Sequence, residues 1–122
     1  NYCLYIVCFV VNIVMDKVVE ISLLYDFYGV MLTDKQRDMI ELYYNDDLSL
    51  GEISEIMGIS RQGAYDLIKR GEKILYGYEE KLKLVEKFMA TKRKVQEAYK
   101  LLDAMGDSPE ISKIKDILHE II

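Results

Sequence analysis

The sequence predicts an all-α fold, and three observations carry that prediction. Apolar residues recur at spacings of three and four through most of the chain after Asp16. Residues suited to capping helix starts, Thr33, Ser49, Ser60 and Ser108, stand immediately before those runs. Breakers are few, with one proline and seven glycines in 122 residues. A composition of 51% hydrophobic and 30% charged residues is that of a folded globular chain, and its length supports a core without disulfides or metal. One compact domain or two small helical lobes fit that length.

The elements follow in order. Residues 1–14 form an apolar leader, interrupted only by Asn1 and Asn12. It is shorter than the ~20 residues a membrane-spanning helix needs, so no membrane insertion is expected. It also lacks the basic start and small-residue cleavage site of a signal peptide. Either natural translation starts at Met15, or the leader is a β-prone arm that packs on the body or on a partner. Cys3 and Cys8 lie within it and have no second Cys or His pair to complete a zinc site, so they read as reduced, incidental thiols in a cytoplasmic protein.

A first helix from Asp16 to Tyr28 places Val18, Ile21, Leu24, Tyr25 and Tyr28 on one face and stops at Gly29. Thr33 with Gln36 forms a capping box for a second helix, whose apolar residues Ile40, Tyr43 and Tyr44 run up to Asn45. Ser49 with Glu52 forms another box, opening a short helix from Leu50 to Met57. Gly58 stops it by taking the left-handed conformation, and Ser60 restarts a helix that turns Ala64, Leu67, Ile68, Ile74 and Leu75 inward. That helix is expected to end or bend near Gly77, which bounds a helix-turn-helix domain at 15–77. From 78 to 122 a helical hairpin is expected. Leu84, Phe88, Thr91, Val95, Ala98, Leu102 and Met105 form a coiled-coil-like seam, and Ser108-Pro109 opens a last helix with the stripe Ile111, Ile114, Leu118 and Ile121. The seam outlasts that short last helix, so the hairpin is also a candidate homodimer element; intrachain packing is the alternative.

Function rests on the segment from Leu50 to Arg70, Leu-Gly-Glu-Ile-Ser-Glu-Ile-Met-Gly-Ile-Ser-Arg-Gln-Gly-Ala-Tyr-Asp-Leu-Ile-Lys-Arg. A capped helix, a glycine turn and a second capped helix within some twenty residues make the helix-turn-helix plan. Ile53, Met57, Ile59, Leu67 and Ile68 can close its small core, while Ser54, Gly63 and Ala64 are small where backbones must approach. In the usual docking of this motif, the start of the second helix faces base edges in the major groove, here Arg61, Gln62, Tyr65 and Asp66. Arg can bond bidentately to guanine, Gln to adenine, and Asp can accept from cytosine, while Lys69, Arg70 and Lys73 can reach phosphates. The plainer alternative is a solvated or protein-binding face, to which the acidic neighbours Asp46, Asp47, Glu52, Glu55 and Glu72 lend weight. The net charge of −5 excludes nonspecific coating of DNA or anionic membrane, so any nucleic-acid contact is local. A second basic cluster, Lys81, Lys83, Lys87, Lys92, Arg93, Lys94 and Lys100, is either a solvated helix face or a phosphate-contacting ridge, for RNA as well as DNA.

Nothing points to catalysis, a metal or a cofactor. His119 is the single histidine and lacks a nucleophile or second ligand beside it; Asp46-Asp47 reads as turn chemistry; no phosphate-cradling glycine motif occurs. Ten tyrosines, mostly at apolar positions, read as core residues with their hydroxyls at the surface.

The stretch from Thr33 to Leu75 resembles the fourth conserved region of bacterial sigma factors, which reads the promoter −35 element; a second region for melting the −10 element is missing. A longer likeness runs from Met15 to about Phe88. It includes Leu23-Leu24-Tyr25-Asp26-Phe27-Tyr28-Gly29, Leu32-Thr33-Asp34-Lys35-Gln36, Tyr43-Tyr44-Asn45-Asp46-Asp47-Leu48-Ser49 and Ser60-Arg61-Gln62-Gly63-Ala64-Tyr65-Asp66, and it is similar to the YlxM family of small Gram-positive proteins. That resemblance implies a DNA-binding fold encoded beside the GTPase of the signal recognition particle, with a regulatory part in that pathway. The alternative is an accessory protein that touches the particle's RNA or its GTPase.

Overall fold

The computed structural model describes residues 16–122, which divide between Lys83 and Leu84 into two units. The leader, its two cysteines and the question of Met15 lie outside the described residues. Those residues are helical with no strand among them, and the fold is all-α.

In the first unit, α1 spans Lys17–Tyr28 and is capped by the Asp16 carboxylate, which accepts from the Val18 N–H. Its buried residues are Ile21, Leu23, Leu24 and Tyr28. Val18, expected inside, is 47% exposed, and Leu23 is buried in addition to the row that three-and-four spacing selects. A 3₁₀ turn, Gly29–Met31, leads to buried Leu32 and then to α2, Asp34–Ile40, with the Thr33/Gln36 capping box formed in both directions. The expected plain continuation to Asn45 is instead a π-helical turn, Glu41–Asn45. One wide turn of this kind alters the register of two side chains and leaves no mark in apolar periodicity.

Helix α3, Leu50–Met57, starts at the Ser49/Glu52 capping box and ends at Gly58, whose φ of 66° is the left-handed value a side chain would disfavour. The central helix α4, Arg61–Leu82, packs on α1, α2 and α3 through Ala64, Ile68, Gly71, Glu72 and Leu75, all buried. Leu67 and Ile74, expected inward, are half-buried. α4 runs unbroken through Gly77, correcting the expected end there; the chain turns at Lys83, φ 56°. A mid-helix glycine costs only about 1 kcal/mol relative to alanine, too little to stop a helix held on both sides by packing. At Gly71, by contrast, the lack of a side chain is structural. A Cβ there would stand 3.1 and 3.2 Å from the Ile40 side chain, so glycine sets how closely α4 and α2 approach.

The tyrosines do more than fill space. Tyr25 donates to Glu41, Tyr28 to Glu79 (2.6 Å), Tyr44 to Glu72 and Tyr76 to Glu20 (2.9 Å), and the last three tie α4 to earlier elements. Burial, then the Glu20 hydrogen bond, pushes the Tyr76 hydroxyl up to about 12. These bonds occupy four of the acidic side chains behind the negative charge.

The second unit, Leu84–Ile122, is a hairpin of α5, Leu84–Ala104, and α6, Pro109–Ile121. Ser108 accepts from the Ile111 N–H and Pro109 occupies the first turn, as the sequence predicts. Tyr99 donates to the Lys115 carbonyl at 2.9 Å and its ring meets His119 edge-on at 5.4 Å. The predicted seam on α5 is displaced. Leu84, Thr91 and Met105 are exposed, and the buried residues are Val85, Met89, Lys92 and Val95. Two neighbouring rows on α5 both have three-and-four spacing, and Lys92 disguises the buried one. It is 3% exposed, with its ammonium 5.5 Å from the Phe88 ring centroid, which withdraws it from the basic ridge. Lys81, Lys83, Lys87, Arg93, Lys94 and Lys100 are exposed.

Candidate nucleic-acid interface

The turn between α3 and α4 is built by local hydrogen bonds. The Gly58 N–H returns to the Ser54 carbonyl, the Ile59 N–H reaches the same oxygen at 3.1 Å, and the Ser60 hydroxyl accepts from the Gly63 N–H at 3.0 Å. Glycine at 63 keeps that cap open, since a Cβ would meet the Ser60 hydroxyl oxygen at 3.1 Å. Ala64 and Ile53 are wholly buried where α3 crosses α4. This is a helix-turn-helix with α4 as its second helix.

Arg61, Gln62, Tyr65, Asp66, Lys69, Arg70 and Lys73 all fall on the half of α4 opposite Ala64, Gly71 and Leu75, since 100° per residue spreads them over about 180° of the helix. Arg61, Gln62, Asp66, Arg70 and Lys73 are exposed, and Tyr65 is 44% exposed. Gln62 donates to Asp66 at 3.0 Å, so the two side chains hold each other on the exposed face. The Arg61 guanidinium lies over Gly51 of α3, where a Cβ would come within 3.2 Å of Nη2. No periodic signal in the sequence marks a glycine that makes room for an arginine, as Gly51 does here.

Lys69 differs from its neighbours. Its ammonium lies 3.2 Å from the Glu72 carboxylate and 5.5 Å from the Tyr65 ring centroid. Glu72, only 6% exposed, takes a second ammonium from Lys17 at 3.3 Å and the Tyr44 hydroxyl. Burial alone would raise the Glu72 pKa, but the hydrogen bonds from Tyr44, Lys69 and Lys17 together outweigh it and hold the carboxyl below the usual glutamate value. A lowered folded pKa means the unfolded chain binds the proton more readily. Glu72's contribution is therefore complete above the unfolded value of about 4.3 and is lost as pH falls through the lower folded one. Denaturation midpoints measured down the acid limb should fall more steeply for the parent than for Glu72→Gln.

Beside α4 lies a cavity of about 200 Å³, walled by Tyr43 and Tyr44 of the π-helical turn, Tyr65 and Lys69 of α4, and Lys17 and Val18 of α1. Exposed Val18 lines this space. Tyr43 and Tyr44, expected on the apolar face of a plain helix, instead wall this cavity from the π-helical turn, while Tyr65, expected on the exposed face of α4, lines it from the other helix. Among the described residues no cluster of three His, Cys, Asp or Glu could hold a metal ion, and no helix is long and apolar enough to cross a membrane.

Residues 15–117 match the family model described as "Putative helix-turn-helix protein, YlxM / p13 like". The chain belongs to the YlxM / p13-like family. A UPF0122 protein of Desulforamulus reducens is 46% identical over 111 residues, covering 88% of this chain and 95% of the relative. One of Oceanobacillus iheyensis is 48% identical over 104 residues (84% and 98%), and one of Caldanaerobacter subterraneus subsp. tengcongensis 57% over 81 (66% and 69%). The match to YlxM / p13-like proteins extends beyond Phe88, where the sequence likeness alone had faded, so the carboxy-terminal hairpin belongs to the family pattern too.

Proposed function

We propose that the protein is a non-enzymatic, cytoplasmic DNA-binding regulator that reads duplex DNA through the first turns of α4. The observation that carries this reading is the capped, exposed face of Arg61, Gln62, Tyr65 and Asp66 on the second helix of a helix-turn-helix. Arg61 bonds a guanine edge, Gln62 and Asp66 act as a paired reader, and Arg70 and Lys73, with Lys69 at the margin, reach phosphates. Likeness to YlxM proteins supports a place in the signal recognition particle pathway. Anisotropy titration of genomic fragments at two salt concentrations tests the reading, which requires salt-sensitive binding to at least one fragment. Arg61→Ala should cost about 1–3 kcal/mol and relax preference at one base, whereas Lys73→Ala should weaken all duplexes alike and lower the salt slope by about 1.

The exposed basic residues Lys87, Arg93, Lys94 and Lys100 on α5 favour a second reading, an accessory protein that binds the RNA or the GTPase of the particle. Pull-down of that RNA and protein from lysate separates the two.

The active form is a homodimer in this proposal, since many helix-turn-helix proteins read paired half-sites. Val95 is buried within the single chain, so its replacement would unsettle the hairpin rather than a dimer. Exposed Leu101, Met105, Ile114, Ile117 and Ile121 on the hairpin are the better dimer contacts. Sedimentation equilibrium should report a dimer for the parent and monomer for Ile117→Asp, and a parent that stays monomeric at micromolar concentration contradicts the proposal.

A further inference from the structure

We propose that the tyrosine-walled cavity beside α4 is a ligand site for a single planar aromatic ring that carries one negative charge. Its size sets the first limit. At about 200 Å³ it is smaller than the ~300–1,000 Å³ clefts that hold drug-sized molecules, so it accepts one ring system and not a peptide. Its walls set the second. Tyr43 and Tyr44, their ring centroids 5.0 Å apart and edge-on, line it together with Tyr65, so three aromatic rings border a space that suits a flat π-face.

Charge sets the third limit. Lys17 and Lys69 share one carboxylate oxygen, Oε2 of Glu72, while the Tyr44 hydroxyl takes Oε1. Two cations against one buried anion leave a net charge of +1 among these lining groups, and each ammonium carries three donors. In a chain of net charge −5 this is a local positive site, prepared to meet an anion. Glu72 is the one buried member of this network, the two ammoniums standing half-exposed at the cavity, and the π-helical turn that delivers both tyrosines is a feature found often at functional sites. Exposed Val18 supplies the apolar edge.

Tyr65 and Lys69 belong to α4, so an occupant would act as an effector of the DNA reading above; the binding itself rests on the cavity alone and is measured without DNA.

The test is a nuclear magnetic resonance titration of the full chain with benzoate, benzamide, cyclohexanecarboxylate and uridine monophosphate. Benzoate should shift the resonances of Val18, Tyr43, Tyr44 and Tyr65 saturably, with a dissociation constant of about millimolar order for so small a probe. Neutral benzamide and non-planar cyclohexanecarboxylate should bind more weakly. Uridine monophosphate, which adds a ribose and more than one negative charge, should bind more weakly than benzoate, and tighter binding of it would overturn the proposal. Lys17→Gln, which leaves Lys69 on Glu72, should weaken benzoate by up to about fivefold, the most an exposed ion pair delivers, and leave benzamide unchanged. Val18→Phe should fill the space and abolish binding. The proposal is overturned if no probe saturates, if benzamide equals benzoate, if shifts scatter away from these residues, or if folded Val18→Phe binds as the parent does.

Discussion

Ile53→Ala should lower the stability of the protein by about 2–5 kcal/mol, seen as a drop in the urea midpoint with an unchanged slope. Ile53 is completely buried on the inner face of α3, where that helix packs on α4. Removing three methyl-sized groups there loses their transfer from water and leaves a cavity that fixed helices cannot close. The effect reaches function because α3 has only eight residues, too few to stay helical without its packing. A variant that loses less than about 1 kcal/mol would show that α3 is not held to α4 by this contact.

Gly71→Leu should cost about 3 kcal/mol, while Gly77→Ala on the same helix should stabilise by up to about 1 kcal/mol. The two glycines look alike in sequence and differ in surroundings. A Cβ at 71 meets Ile40 at 3.1 Å, and Ile40 is itself 2% exposed, so a larger side chain forces α4 and α2 apart. At 77 nothing stands within 4 Å, and alanine simply removes the entropy that glycine loses in a helix. Thermal or urea melts of the pair should move in opposite directions; movement in the same direction would contradict the close approach at Gly71.

The parts of this fold that are local in origin were legible from sequence. Both capping boxes, the left-handed Gly58, the Ser60 cap, the ends of α3 and the Ser108-Pro109 start depend on hydrogen bonds within a turn, and residue types three apart encode them. What sequence missed depends on tertiary context. Gly77 bears the breaker's identity but lies in a helix held by packing, and the real stop, Lys83, carries no breaker residue at all. Apolar spacing on α5 fits two adjacent rows, and only the structure selects the one that includes buried Lys92. At the candidate site, the exposed readers of α4 follow from the cap and the helical repeat. The support of Arg61 by Gly51, and the meeting of Lys17 and Tyr44 with Glu72, bring together residues 10 to 55 positions apart, which no motif records.

The most direct test of the central claim is base preference in the first turn of α4. Duplexes enriched from a random pool by the parent protein would be titrated with the parent and with the Arg61→Ala, Gln62→Ala double variant at two salt concentrations. The account predicts that the parent prefers the enriched duplexes with salt-sensitive affinity, and that the double variant stays folded, keeps the salt-dependent component and loses that preference. A double variant that discriminates among duplexes as the parent does, or a parent that enriches none, would contradict it.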